Sequence, residues 1–461
     1  MNKRTRNIFL IIFIGFVLFL NVLSVKNKTP TYDEEQHYKY GLQILKSNSD
    51  RFNEGTMPFS AFNAIPSEMS KLLKGIIGSK KIINFLCGLE ARRYVTVLFS
   101  LLLAFYVFKW SKELYGNIPG FFSLILYTFS PNIIAHSQLV TLDLYTACMT
   151  TISAYYFWQF VKVGGWARAT LSAVLLGLTQ LTKYTCAFLY PIFIIIILIR
   201  YSKEMWLIVN TRNYKSLLKY INSFCKFTMF YVSISIIIIN IGFLFNKTLI
   251  PLEKCNFKSN LFKSVQSNFN ALKNFPVPLP SPYLEGPDLH IFHEQHGGAH
   301  GYIYLMGELK RDGGFKGYYL YALLYKEPIP ILLFIVFSLV AYILRYKKYN
   351  FIKDEVFLLC PVVFFTIYFN FFFTMHIGIR NFIVIFPLLY IFCGSLLKDW
   401  NIFTLKLRSS IIFLIACLII SVLSYFPHYL SYFNEFVWDR KKAYKILADS
   451  NIDWGQNGWY L

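Results

Sequence analysis

Long apolar runs are the feature that most constrains this chain, because each is long enough to cross a lipid bilayer as a helix. Windows of about 19 residues indicate about eleven spans, near residues 7–25, 95–109, 118–134, 145–161, 170–183, 185–200, 227–245, 329–344, 355–373, 382–397 and 410–426. Apolar residues make up 56% of the 461 residues, more than soluble domains carry. The sequence therefore predicts an all-α, polytopic membrane protein whose first run is retained as a helix.

The positions of the basic residues predict the orientation of the chain. The formal net charge is +22, and Lys and Arg are concentrated in residues 1–7 and in the short connections after alternate spans. Because cytoplasmic segments carry such an excess, we place the N-terminus in the cytoplasm. The long loops, about 26–94 and 246–328, then lie on the non-cytoplasmic face of a module over 1–426, with a short tail over 427–461. Topology explains the charge, so no nucleic-acid partner is expected.

An acidic stretch beyond the first span is the first candidate for chemistry. Asp33, Glu34 and Glu35 follow the span at the membrane surface. Desolvation there can raise the pKa of a carboxylate toward the range useful for a general base. The stretch therefore fits the catalytic edge of a membrane enzyme, while a solvated acidic loop that closes the first helix is the alternative.

Other charged residues are predicted to return to the same face. Asp143 begins the fourth span close to Thr141 and His136, and it either serves the site or interacts favourably with the helix dipole. The cations predicted at this face are Arg93, Lys183, Lys326 and Arg380. Arg93 either serves the site or snorkels to lipid phosphates. Lys183 either binds an anionic substrate group or pairs with Asp143 or a lipid head group.

The second long loop carries two unusual patterns. Prolines at alternate positions of 276–282 predict an extended strap. His290, His293 and His296 then recur every third residue, which would place them on one side of a helical turn with Glu294. The histidines indicate either a metal site or a solvated loop. The sequence requires no cofactor, and a divalent metal is the one candidate.

Several motifs together resemble a known enzyme family. Residues 31–41, Thr-Tyr-Asp-Glu-Glu-Gln-His-Tyr-Lys-Tyr-Gly, look like the Asp-Glu signature of the protein O-mannosyltransferase and aminoarabinose-transferase group, which has the GT-C fold. The stretches similar to a bacterial branch, the phospholipid-carrier-dependent glycosyltransferases, are 279–308, 318–330, 378–387, 426–435 and 449–456. The resemblance covers nearly the whole chain, from about residue 31 to residue 456.

The resemblance implies an inverting sugar transfer from a polyprenyl-phosphate carrier to a hydroxyl of a protein, lipid or polysaccharide at the non-cytoplasmic face of the cell membrane. Asp33 would be the general base, and Glu34 and Asp143 would help to position the acceptor or a metal. The cations that would stabilise the leaving phosphate are Arg93, Lys183, Lys326 and Arg380. His300 and Glu308 match a motif position that has no assigned role.

Two further classes of function stay open. A transporter or flippase would move the lipid-linked sugar without chemistry, but its charges typically lie near the mid-membrane in repeated halves, and the sequence shows no convincing repeat. A non-catalytic binder of lipid-linked sugars is the other class. The sequence departs from the family at Glu35, where relatives often have proline. It also ends soon after Trp454, where relatives commonly continue, so a part that reads the acceptor is expected to be reduced.

Overall fold

Helices form nearly all of the regular structure in this computed structural model, which describes residues 3–26, 28–53, 55–76, 79–268, 274–296 and 301–458. The first half of the chain holds α1 (Lys3–Val25), α2 (Glu34–Leu45), α3 (Ser60–Leu73), α4 (Lys80–Cys87), α5 (Leu89–Tyr115), α6 (Asn117–Thr128), α7 (Pro131–His136), α8 (Asp143–Val163), α9 (Trp166–Gln180), α10 (Leu189–Asn210) and α11 (Tyr214–Gly242). The second half holds α12 (Asn260–Asn268), α13 (Ser281–His296), α14 (Tyr318–Lys326), α15 (Ile329–Leu344), α16 (Val356–Ile367), α17 (Phe386–Cys393) and α18 (Leu405–Leu423). An antiparallel hairpin of β1 (Ile303–Leu305) and β2 (Glu308–Lys310) interrupts this helical pattern.

Each predicted span overlaps a helical segment, but a total of about eleven is not confirmed. Among the described residues, six helices are long and apolar enough to cross a membrane: α1, α5, Tyr184–Asn210 (which includes α10), α11, Ile379–Leu397 (which includes α17) and α18. The pair of α14 and α15, bent by 115°, would make a seventh. Several other helices are short or polar. α8, for example, buries Thr146, Thr150 and Thr151 among its neighbours rather than exposing apolar side chains to lipid.

α8 lies in the core of the bundle. It packs against α5, α9 and the 3₁₀ helix Ile379–Ile385, and the rings of Phe157 and Phe193 stack with their centroids 3.9 Å apart. α9 and α11 approach closely at Gly177, where an added Cβ would lie 2.8 Å from the Cβ of Ile238. Small residues of this kind let membrane helices pack backbone to backbone.

Helices α2, α3 and α4 lie between the first membrane helix and α5. α2 and α3 pack against each other, and α3 also packs against α5. Gly41 of α2 lies against the carbonyl oxygen of Ser60, where no side chain would fit. This contact positions the N-terminus of α2, which begins directly after Asp33.

The predicted proline strap is correct only as far as Pro280. Helix α13 begins at Ser281, and Pro282 occupies its first turn. Proline is tolerated there because the first N–H groups of a helix have no intrahelical partner. The three histidines at 290, 293 and 296 accordingly lie on this helix.

Gly41→Ala tests whether this close approach is needed. We expect the new methyl to collide with the Ser60 carbonyl and to lower the thermal midpoint of the purified protein, since overpacking typically costs about 1–3 kcal/mol. Gly15→Ala in α1 is the matched control, because a Cβ at Gly15 meets nothing within 4 Å. Equal midpoints for the two variants would contradict the prediction.

Candidate active site

Four of the predicted charged residues meet in two ion pairs. Nη1 of Arg380 donates to the Asp33 carboxylate at 2.6 Å. Nζ of Lys183 donates to the Asp143 carboxylate at 2.8 Å. Nζ of Lys183 also donates to Oδ1 of Asn381 at 2.6 Å, which connects it to the segment that carries Arg380. The two pairs therefore lie where the start of α2, the start of α8 and the chain after α9 meet the 3₁₀ helix Ile379–Ile385.

These pairs are shielded from solvent to different degrees. The side chains of Asp33 and Arg380 are 22% and 14% exposed, and those of Asp143 and Lys183 are 5% and 18% exposed. Charges in partly desolvated surroundings interact more strongly than charges in water. Two anions face two cations, so an incoming anion can compete with a carboxylate for either cation.

Two histidines flank the charged residues, His136 buried and His37 half-buried. The backbone N–H of His37 donates to the carbonyl of Asp33 at 3.1 Å, one turn away on α2. Burial lowers the pKa of His37, and it lowers the pKa of His136 to about 4. Both rings are therefore neutral at pH 7, and a neutral imidazole can donate one hydrogen bond and accept another.

The ring of Trp454 lies next to Arg380 and His136. The Arg380 guanidinium carbon lies 4.2 Å from the ring centroid of Trp454. The ring of His136 lies 6.4 Å from that of Trp454. A cation over an indole face is attracted by the ring quadrupole, so Trp454 contributes to the placement of Arg380.

Several buried polar atoms near these groups have no hydrogen-bond partner among the described residues. They are Oγ1 of Thr31, Nδ1 of His136, Nε2 of Gln138, Oγ1 of Thr141 and Nε of Arg380. Buried polar groups are normally paired, and ordered water or a ligand can supply the partner. Their position beside the two ion pairs is typical of a site for a polar ligand.

Glu34 and Arg93 form a third pair, buried among backbone groups. Both side chains are 1% exposed, and Nη2 of Arg93 lies 2.7 Å from Oε2 of Glu34. The Glu34 carboxylate also accepts from the backbone N–H groups of Thr31 and Val140 at 2.7 and 2.9 Å. Nη1 of Arg93 donates to the carbonyl of Lys28 at 2.9 Å. This bonding argues against the predicted substrate role of Arg93 and the predicted catalytic role of Glu34, because both groups are already engaged and shielded from solvent.

The other predicted site residues lie elsewhere. Nζ of Lys326 is buried and donates to the carbonyls of Leu430 and Asn451 at 2.7 and 2.6 Å, which argues against direct contact with a carrier phosphate. Glu308 is exposed on β2. His300 lies outside the described residues.

Among the described residues, the predicted metal cluster has no complete ligand set. Over the part of the chain that the structure describes, no group of three His, Cys, Asp or Glu side chains could hold a metal ion. Nε2 of His290 lies 3.6 Å from Glu294, and Glu294 accepts a hydrogen bond from the backbone N–H of Thr374 at 3.0 Å. The ring of His296 contacts the carbonyl of Phe292 at 2.8 Å. These contacts hold His290, Glu294 and His296 in local structure.

Two residues of the site were not predicted from the sequence. His37 carries a usable signal, because it follows Asp33 by four residues and therefore shares its side of α2. Asn381 carries none, since its role depends on a contact with Lys183 across the fold. Long-range pairing of this kind is not visible in one sequence.

The buried His136 predicts a pH dependence of stability. Its pKa is about 4 in the folded protein and 6.5 as an isolated group. As the pH falls through 6.5 the unfolded chain therefore binds a proton first, and stability is lost progressively down to about pH 4. We expect the thermal midpoint of His136→Gln to depend less on pH between 7 and 5 than that of the wild type. The exposed His296→Gln is the control, and equal pH dependence in all three proteins would contradict the assignment.

Comparisons with known proteins agree with this architecture. Residues 79–230 match the sequence model of the family described as dolichyl-phosphate-mannose-protein mannosyltransferase. No curated protein matches the chain significantly.

Solved structures share the fold at low sequence identity. ArnT from Cupriavidus metallidurans bound to undecaprenyl phosphate superimposes with a TM-score of 0.52 at 12% identity, over 88% of this chain and 62% of that chain. The apo form gives a TM-score of 0.51. The oligosaccharyltransferase of Archaeoglobus fulgidus gives 0.53 at 13% identity, over 93% of this chain and 55% of that chain.

The present chain thus spans 55–62% of the length of these solved proteins. At 12–13% identity the likeness concerns the fold, and the sequence match over residues 79–230 agrees with it. The chain is therefore a multi-pass membrane protein with the GT-C fold of membrane glycosyltransferases.

Proposed function

We propose that the protein is an inverting glycosyltransferase that moves a sugar from a polyprenyl-phosphate carrier to a hydroxyl group. The observation that carries the proposal is the meeting of Asp33 with Arg380 and of Asp143 with Lys183 in one shielded cluster. Such a cluster offers a base for the acceptor and cations for the leaving phosphate. The fold and the family match support the same reaction class.

The donor phosphate is assigned to Arg380 and Lys183. Arg93 and Lys326 are engaged in buried hydrogen bonds, which leaves these two as the partly exposed cations of the predicted set. Phosphate binding would draw Arg380 away from Asp33 and Lys183 away from Asp143. The two carboxylates would then face the acceptor and the sugar.

An apolar cavity suits the lipid part of such a donor. It has a volume of about 750 Å³ and lies between α8, α9, α10 and α11, with Leu279 and Tyr283 at its edge. The Tyr283 hydroxyl at this edge donates to Oε1 of Gln180 at 3.1 Å. Gln180 precedes Lys183 by three residues, so this edge of the cavity is connected to the chain that carries Lys183. A polyprenyl tail in this cavity would approach the cluster from the lipid side.

The proposed reaction is a single displacement. The acceptor hydroxyl gives its proton to the Asp33 carboxylate as its oxygen bonds to the anomeric carbon of the sugar. The bond from that carbon to the phosphate oxygen breaks, and its electron pair leaves with the polyprenyl phosphate. Attack from the face opposite the leaving group inverts the anomeric configuration, while Arg380 and Lys183 stabilise the charge on the phosphate.

The orientation in the membrane follows from the distribution of basic residues. We place the N-terminus in the cytoplasm and the cluster on the non-cytoplasmic face of the cell membrane. The acceptor is then a hydroxyl of a protein, a lipid or a polysaccharide at that face. A transporter or a non-catalytic binder of lipid-linked sugars is the alternative, and it would need no base at Asp33.

Asp33→Asn separates these functions. Purified protein is given radiolabelled polyprenyl-phosphate sugar, with membrane extract as the acceptor. We expect transfer by Asp33→Asn to fall at least about 100-fold, since a positioned general base contributes about 10²–10⁴ in rate. Glu35→Gln is the matched control, because Glu35 is 57% exposed in the same acidic stretch. Equal transfer by Asp33→Asn and wild type would exclude Asp33 as the base.

Substitution of the two cations tests the assignment of the phosphate. We expect Arg380→Gln and Lys183→Gln each to weaken binding of undecaprenyl phosphate at least about tenfold, because each removes a charge-assisted hydrogen bond to the ligand. The exposed Lys263→Gln on α12 is the control. Unchanged binding by both site variants would place the phosphate elsewhere.

A further inference from the structure

We propose that the segment 449–458 is a positioning element of the site, and that Trp454 is the residue through which it holds Arg380 opposite Asp33. The segment includes residues 449–456, one of the stretches that resemble the family. What Arg380 binds rests on the proposed function, whereas the placement of Arg380 rests on geometry alone.

The segment contacts the chain that leads into Asp33. The backbone N–H of Tyr32 donates to the carbonyl of Trp454 at 3.1 Å, and that of Thr29 donates to the carbonyl of Gln456 at 3.2 Å. The Thr29 hydroxyl donates to the carbonyl of Gly455 at 2.6 Å. These hydrogen bonds hold residues 29–32, which directly precede Asp33, against residues 454–456.

The same segment contacts the chain that leads into Arg380. The backbone N–H of Ile379 donates to Oδ1 of Asn451 at 3.0 Å. The Ser450 hydroxyl donates to the carbonyl of Ile377 at 3.0 Å. Gly378 lies between these contacts with a φ of +75°, and a Cβ there would collide with Oγ of Ser450. One segment therefore joins both halves of the Asp33–Arg380 pair.

Two buried side chains fix the segment itself. Nζ of Lys326 donates to the Asn451 carbonyl at 2.6 Å, and Nδ2 of Asn451 donates to the Tyr318 hydroxyl at 2.9 Å. Lys326 thus acts on the site through Asn451, rather than through a phosphate. This explains a buried cation that the proposed reaction does not use.

Trp454 suits the placement of a cation that must change partners. Its ring lies 4.2 Å from the Arg380 guanidinium carbon and is 9% exposed. Attraction to a ring face uses none of the guanidinium N–H groups as hydrogen-bond donors. Arg380 can therefore stay on the indole while its donors move from Asp33 to a phosphate oxygen.

The test compares Trp454→Leu, Trp454→Phe and the control Trp438→Leu in the full chain, since Trp438 is 96% exposed. Hydrogen exchange is measured over residues 28–33 and 377–381, and binding is measured with undecaprenyl phosphate as the probe. We expect Trp454→Leu to exchange faster in both stretches and to bind about fivefold to thirtyfold more weakly. Trp454→Phe should recover most of the binding, and Trp438→Leu should resemble the wild type.

Transfer kinetics distinguish a positioning role of Trp454 from a purely structural one, because loss of structure alone would not change KM and kcat selectively. Trp454→Leu should raise KM for the donor more than it lowers kcat, because the indole lies on Arg380, which binds the donor phosphate, while the Asp33 carboxylate is unchanged. If Trp454→Leu does not fold, Thr29→Val replaces it. That variant removes only the hydroxyl bonds to residues 455 and 458, and faster exchange at 28–33 is again expected.

Two outcomes separate the inference from the proposed function. Unchanged exchange and unchanged binding in Trp454→Leu would overturn the inference. The wild type could instead neither bind undecaprenyl phosphate nor transfer sugar, while Trp454→Leu still exchanges faster than the wild type. That result would support the positioning role and overturn the proposed function.

Discussion

The buried Glu34–Arg93 pair is the interaction on which the site depends. Removing two charges from water is costly, and only close geometry with further hydrogen bonds offsets that cost. Here the carboxylate also accepts two backbone N–H groups, and the guanidinium also donates to carbonyls that follow α1. The pair thus joins the chain after α1, the start of α5 and the loop before α8. Asp33 and Asp143 flank this junction.

Around this buried pair lie the two more exposed ion pairs of the candidate site. The side chains of Asp33 and Lys183 are about one fifth exposed, whereas those of Glu34 and Arg93 are almost fully buried. Close to the cluster lie the buried His136, the half-buried His37, and hydroxyl and amide groups that have no partner within the described part of the chain. The three pairs therefore differ, because the Glu34–Arg93 pair is fully buried while each of the other two keeps a partly exposed cation.

Sequence patterns predicted the helices and the meeting of Asp33, Asp143, Lys183 and Arg380, because each of these residues lies close to the end of a predicted span. They did not show that Arg93 and Lys326 are internal. Lys326 donates only to backbone carbonyls from distant segments, and Arg93 donates to such carbonyls as well as to Glu34, and a carbonyl has no sequence signature. The count of about eleven spans is not confirmed, because several of the helices, such as α8 with its buried threonines, are less apolar than a typical membrane span. Alternating prolines concealed the start of α13.

A structure of the full chain with undecaprenyl phosphate in a lipid nanodisc would test the central claim most directly. The proposed mechanism predicts that the phosphate lies on Arg380 and Lys183, that both cations move away from Asp33 and Asp143, and that the Glu34–Arg93 pair stays closed. Arg380 should remain on the ring of Trp454. A phosphate bound by Arg93 or Lys326, or one distant from all four cluster residues, would contradict it.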